Sequence, residues 1–349
     1  DASNRRVFDG VMPHVSGAGL MWMNQRFASV VSAAGQQYES HCTPADRFPF
    51  SYAKTTDHLT GRVDAILKRP ETDPLVIHTQ TSTEYWQRRG SLVHTDTQGN
   101  DLPQPDGVRV YLWSSSQHFA DPNAPQLGRG IGQYDSNVVR TSMLFRAMLD
   151  TLDRWATEGR PPPPNRIPLR ANGTLVTMEA WRAQFPRIPG VALPREPNAL
   201  PLMDFGPDFK KGILAKEPPE LAPGKEYVVL VPSVDQDGND VAGIRAPMVS
   251  VPLATYTGWN LRRRGFGTGA LYSFIGSTLP FPDSPEERCQ TSDPRRSVLE
   301  RYGSPESYVE AVEQAAQGLV ADGFMLEEDV QRSGAAAANW DSARHDVRL

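Results

Sequence analysis

The sequence predicts an α/β fold: a mostly parallel sheet with flanking helices, followed by a mixed α+β extension. Three observations carry that prediction. Residues 73–86, "DPLVIHTQTSTEYW", and 108–119, "VRVYLWSSSQHF", each open as a continuous apolar run, the pattern of a strand buried on both faces in a parallel sheet. In residues 136–159, "SNVVRTSMLFRAMLDTLDRWATEG", the residues Val139, Met143, Leu144, Met148, Leu152 and Trp155 recur mostly at intervals of three and four, which is one face of a helix.

Taken in order, "VFDGVMPHV" (7–15) reads as a strand and "SGAG" as the turn after it. Residues 24–72 are loop-like, with a short helix expected at "GRVDAILKR". Strands follow at 75–80 and 108–113, separated by a helical turn or two in "EYWQRRGSLVH". The long helix is expected over 137–158, with Ser136 as N-cap and a stop at Gly159 and Pro161 to Pro164. Residues 166–225 are Pro-rich and aperiodic, which reads as an extended connection. "EYVVLVPSVDQDGNDVAGI" (226–244) predicts a hairpin around Asp237-Gly238, and "MVSVPLATYTGW" another strand. Ser304, Pro305 and Gly323 frame a helix, and a second one starts near Leu326. The organisation is thus 1–165 as a sheet-and-helix core, 166–225 as the connection, and 226–349 as a hairpin and helical extension packed on the core.

Composition narrows the partners. The 349 residues carry a net charge of -5, from 36 basic and 41 acidic side chains, with no long basic run. Nucleic-acid binding therefore has little electrostatic support. No apolar segment approaches the roughly 20 residues that span a bilayer. Cys42 and Cys289 lie far apart and either pair or stay free, and no Cys/His spacing resembles a zinc site. No cofactor or metal is expected. "DQDGND" lacks the Glu of a calcium loop, since position 12 is Ala246, and reads as a turn. "RRRGFGTG" has no Lys-Ser/Thr after its glycines and is not a phosphate loop. The chain opens "DASNRRVFDG" with neither Met nor a signal-like segment, so further residues are expected upstream and no localisation is assigned.

The chemistry lies at the ends of the two central strands. Reactive groups gather outside the carboxyl ends of parallel strands. Glu84 follows the first strand and His118 the second, 34 residues later. A carboxylate beside an imidazole fixes its tautomer and stabilises the imidazolium that forms. Acid before histidine is also the downstream half of the order Ser, Asp/Glu, His. Taken singly, Glu84 could be a carboxylate at a helix N-terminus and His118 a loop histidine. Among the other histidines, His78 falls mid-strand and reads as a core residue, while His14 and His94 are candidates for the border of the cleft. His41, His58 and His345 have no metal-like spacing. Tyr85, Trp86 and Trp113 either pack in the core or line an acyl or alcohol pocket.

"RRVFDGVMPHVSGAG", "NQRFA", "DHLTGR", "TSTEYW", "SLVHTD", "VRVYLWSSSQH", "VPLATYTGWNLR" and "ERCQTSDPRRSVLERYGSPESYVEAV" occur in this order over nearly the whole chain. Together they resemble the bacterial family of alpha/beta hydrolase domain proteins. The resemblance implies that residues 1–165 are the C-terminal half of an α/β-hydrolase core. It implies a serine hydrolase acting on a small-molecule carboxylic ester, with Glu84 and His118 as triad partners. It also implies a Gly-x-Ser-x-Gly elbow shortly before the segment equivalent to "RRVFDG". No serine of this chain stands in such a motif: Ser16, Ser277 and Ser333 are preceded at the first glycine position by His14, Ile275 and Gln331. The nucleophile and the oxyanion amides are therefore expected upstream, leaving these residues alone inactive. The alternative is a non-catalytic binding or structural protein on a hydrolase scaffold.

Overall fold

A computed structural model describes residues 3–18, 47–119, 128–217 and 219–339. After β1 (Gly10–Val11), a two-stranded ribbon pairs β2 (Thr55–Thr56) with β3 (Val63–Asp64). Then β4 (Leu75–Thr81) runs directly into α1 (Ser82–Gln87), followed by β5 (Val108–Trp113), β6 (Asp135–Ser136) and α2 (Ser142–Glu158). The second half holds β7 (Leu175–Val176), α3 (Met178–Gln184), β8 (Pro201–Asp204), β9 (Glu220–Glu226), β10 (Val231–Pro232), α4 (Pro247–Ser250), β11 (Ala254–Thr257) and β12 (Ser277–Pro280). It closes with α5 (Pro285–Thr291), α6 (Val298–Tyr302), α7 (Pro305–Ala321) and α8 (Glu328–Ala338).

The strands expected at 7–15, 75–80 and 108–113 lie side by side in one parallel sheet, in the order β1-β4-β5. Side-chain alternation gives this sheet two apolar faces. Ile77, Tyr111 and Trp113 pack under Leu144, Met148, Leu152 and Trp155 of α2. Val76, Val108 and Val110 pack on Phe48, Phe50, Leu92 and Val93. The first strand is shorter than expected. Regular pairing covers only Gly10–Val11, and beyond it Pro13, which has no N–H, lends its carbonyl to Thr79 N (3.0 Å).

Other expectations are corrected by partners distant in sequence. Ser136 does not cap the long helix. It pairs with Ser277 in the antiparallel sheet β11-β12-β6, its carbonyl accepts from Thr278 Oγ1 (2.9 Å), and the helix starts after Thr141. Gly159 does end it, in the left-handed conformation. "GRVDAILKR" is not helical. Val63 and Ile66 remain exposed while Ala65 is buried and Leu67 packs on the core around Phe48 and Val108, and Val63–Asp64 joins the ribbon. The hairpin expected over 226–244 keeps only its turn, a Val234–Asp240 bridge with Gly238 at φ +82°. Its first arm pairs with β7, Val231 against Val176. The aperiodic 166–225 stretch contributes α3, whose Trp181 meets Trp86 at 4.8 Å, and the antiparallel pair β8–β9. The strand in "MVSVPLATYTGW" is β11. The C-terminal helices follow the expected frame: Ser304 Oγ accepts from Ser307 N (3.2 Å) at the start of α7, and α8 begins at Glu328.

The second sheet presses on the end of the first through a glycine. A Cβ built at Gly258 would lie 2.6 Å from both Ser82 Cβ and Thr83 N, at the start of α1. Gly258→Ala is therefore expected to destabilise the fold by about 1–3 kcal/mol. Gly318→Ala, inside α7 with nothing within 4 Å of its Cβ, should stabilise it by about 0.5–1 kcal/mol. Urea unfolding of both variants checks the contrast, and equal effects would refute the close approach.

Candidate active site

The site is built from two adjacent strand ends, held in register by Thr81 opposite Trp113. At the first, Thr81 stays extended (φ -95°, ψ 172°) and α1 begins with the next residue. Glu84 occupies the third position of that helix and is fully buried. One carboxylate oxygen, Oε2, accepts from the Thr81 backbone N–H (2.8 Å) and from the Thr81 hydroxyl. The other, Oε1, lies 2.6 Å from His118 Nδ1. A carboxylate accepts only, so Nδ1 is the donor, and in the neutral ring Nε2 is the nitrogen that carries the lone pair. Nε2 has no hydrogen-bond partner among the described residues.

At the second strand end, residues 114–117 are buried and each is fixed by a bond. Ser114 Oγ donates to Ala242 O (2.5 Å), and Ser116 Oγ to Trp113 O (2.7 Å). Ser115 adopts φ +55°, and its N–H donates to Asp240 Oδ2 (2.7 Å). Gln117 Oε1 accepts from Gly276 N (3.0 Å). The imidazole, 16 % exposed, stacks on Phe274 with centroids 4.0 Å apart and planes 13° apart. Phe119, largely exposed, meets it edge-on at 4.7 Å. Gln87 at the end of α1 holds the Phe274 segment by accepting from Phe274 N (2.7 Å) and donating to Tyr272 O (3.0 Å).

The other described histidines bond to hydroxyls. His14 Nδ1 meets Thr79 Oγ1 (2.8 Å), His78 Nδ1 meets Tyr52 OH (2.9 Å), His94 Nε2 meets Tyr85 OH (2.8 Å), and His58 Nδ1 meets Thr97 Oγ1 (2.8 Å). Burial, then the nearby His118, lowers His14 to about 4. Burial, with smaller contributions from His94 and His14, lowers His78 to about 3. Burial lowers His94 to about 4 against an opposing pull from Asp101. His78 is thus a core residue, whereas His94 is fully buried rather than on a cleft border. His14 packs on Trp113 (4.6 Å) and Phe145 (5.0 Å), close enough to feel His118. Tyr85, Trp86 and Trp113 are core: all are at most 2 % exposed, and Trp86 packs with Trp181 and Trp259.

Asp240, read from the sequence as part of a turn, is a buried carboxylate beneath the site. Burial pushes it up to about 6, against the pull of its Ser82 and Ser115 bonds and of Arg245. Its neighbour Asp235 caps the turn, accepting from Asp237 N and Asn239 N (3.0 Å each). Cys289 is exposed and free; Cys42, His41 and His345 lie outside the described residues. Among the described residues no group of three or more His, Cys, Asp or Glu side chains could hold a metal, and no helix is long and apolar enough to cross a membrane.

A parallel sheet that sets a buried carboxylate on the imidazole at the next strand end is a hydrolase-type scaffold. The sequence model of a family described as alpha/beta hydrolase domain matches residues 1–335, and the chain belongs to that family. No curated protein and no solved structure matches the chain.

The buried groups set a pH dependence of stability. His14, His78 and His94 have folded values below the usual 6.5, so the stability they support is complete above about 6.5 and is lost as pH falls, through about 4 for His14 and His94 and about 3 for His78. Asp240 acts in the opposite sense. Raised to about 6, its contribution is complete below about 3.8 and is lost as pH rises through about 6. The melting temperature should therefore fall on acidification from about pH 7 to about pH 5, with three histidines outweighing one carboxyl. Asp240→Asn should steepen that fall, and thermal scans across the range check both; a melting temperature that rises on acidification would contradict the assignment.

Proposed function

We propose that the chain carries the acid and base of a serine-hydrolase acyl transfer, with a carboxylic ester as substrate. The observation that carries the reading is the 2.6 Å contact of Glu84 Oε1 with His118 Nδ1 at adjacent parallel strand ends. His118 Nε2 takes the proton of the attacking serine, the Glu84 carboxylate stabilises the imidazolium, and the same nitrogen returns the proton to the leaving alkoxide. Water then repeats the sequence on the acyl-enzyme and releases the acid. Phe119 and Phe274 flank the imidazole and suit an apolar acyl or alcohol group. Because no serine of the sequence stands in Gly-x-Ser-x-Gly, the nucleophile is assigned to residues upstream in the complete polypeptide.

The test is hydrolysis of p-nitrophenyl esters by the 349-residue chain and by a polypeptide extended through the upstream reading frame. The chain alone should stay at background, and the extended polypeptide should turn over. In the latter, His118→Ala should lower kcat by about 10⁴-fold with the fold intact. Unchanged turnover by His118→Ala removes His118 from the mechanism. Robust, His118-dependent hydrolysis by the 349-residue chain overturns the upstream assignment. An upstream frame without an elbow favours the non-catalytic reading.

A further inference from the structure

We propose that Asp240 is a positioning residue, whose carboxylate ties together the two strand ends that carry Glu84 and His118. This rests on the reading of those two residues as a working pair. Asp240 Oδ2 accepts from the Ser82 hydroxyl and from the Ser115 N–H (2.7 Å), while Asp240 N–H donates to Ser115 Oγ (2.8 Å). Its partners are 158 and 125 residues away in the chain, so no local motif creates the contact. Ser82 is the first residue of α1, two before Glu84. Ser115 is three before His118 and sits at φ +55°, a conformation disfavoured for an L-residue unless its surroundings hold it. Two bonds to Asp240, on the nitrogen and on the hydroxyl, hold it there. One oxygen thus receives donors from both elements of the pair.

Asp240 is itself anchored from outside those elements. It bridges to Val234 across the turn, and the adjacent Asn239 is bound to β11, donating to Ala254 O (3.2 Å) and accepting from Tyr256 N (2.8 Å). Arg245 and Asp235 face it from the turn region, and Glu84 and Tyr85 stand near it on α1, where both carboxylates add to the burial that raises the Tyr85 phenol. The second sheet therefore sets, through Asp240, the spacing of two groups that lie on the first.

The readout is the low-field proton resonance of an imidazole N–H held by a carboxylate, measured on the 349-residue chain so that no turnover is needed. Wild-type protein should show it, and Glu84→Gln and His118→Ala should each abolish it. Its absence from wild type would refute the underlying pair rather than the role of Asp240. In Asp240→Ala the resonance should vanish or exchange at least about tenfold faster, the factor that about 1.4 kcal/mol represents, with circular dichroism unchanged. Asp240→Asn keeps an acceptor for Ser115 and a polar partner for Ser82, and should restore it. If Asp240→Ala does not fold, the double variant Ser82→Ala/Ser115→Gly, which keeps the left-handed residue but removes both hydroxyls, should give the same loss. A folded Asp240→Ala, or the double variant, with an unchanged resonance overturns the proposal.

Discussion

A carboxylate with no exposed surface is the constraint from which the rest of this structure follows. An unpaired buried charge costs several kcal/mol, so Glu84 is tolerable only where donors converge on it. Three do: the Thr81 N–H and hydroxyl on one oxygen, the His118 ring on the other. Two of them exist because α1 begins the moment β4 ends. That junction makes Thr81 the cap residue and Glu84 the third residue of the first turn, the spacing of a reciprocal cap. The third exists because β5 lies beside β4 in parallel register, which brings its own end to the same level. Helix capping and the acid–histidine contact are two uses of one side chain.

Satisfying that carboxylate fixes one atom of the imidazole but not its plane, and the plane is set from the second sheet. Phe274 stacks on the ring from a segment pinned by Gln87 of α1 and continuing to Gly276, whose N–H is held by Gln117. Gly276 permits this because a Cβ there would collide with the Thr257 carbonyl and lie 3.0 Å from Asn137 Cβ. Asn137 in turn donates to Ser115 O (2.7 Å) and Thr257 O (2.9 Å). The antiparallel sheet is therefore more than an appended layer: its turns present the groups that orient the histidine.

What the sequence discloses and what it conceals divide along this line. The parallel strands, α2, α7 and the Glu84–His118 pair are written locally, as apolar runs, a helical stripe, caps and titratable residues at strand ends. β6 is hidden because Ser136 looks like a helix cap until Ser277 is beside it, 141 residues on. The 226–244 hairpin fails because its first arm pairs with Val176, which sits in a stretch whose prolines suppress any period. Asp240 is the sharpest case. "DQDGND" announces a turn, and the structure keeps the turn, but burial of one of its five acidic or amide side chains, Asp240, against residues 82 and 115 leaves no trace in the local pattern. A carboxylate in a turn that is followed within a few residues by an Arg, here Arg245 bound to Asp235 at 3.0 Å, is the nearest thing to a signal.

The partner of each described histidine separates His118 from the other four. His14, His58, His78 and His94 all bond to hydroxyls, which donate to or accept from a neutral ring equally well but do little for a charged one. His14, His78 and His94 are also held low by burial, so they stay neutral through the physiological range and serve packing. Among the described residues His118 alone has a carboxylate on one nitrogen, with the other unbonded and an edge still open to solvent. A ring placed so gains a counter-charge when it takes up a proton and has an atom free to take it with. Surrounding such a ring with neutral imidazoles, one of them near enough to interact with it, avoids the like-charge repulsion that a second imidazolium would bring. The same burial that makes the three inner histidines inert thus keeps the nearest of them, His14, from setting a second positive charge beside the ring at the strand end.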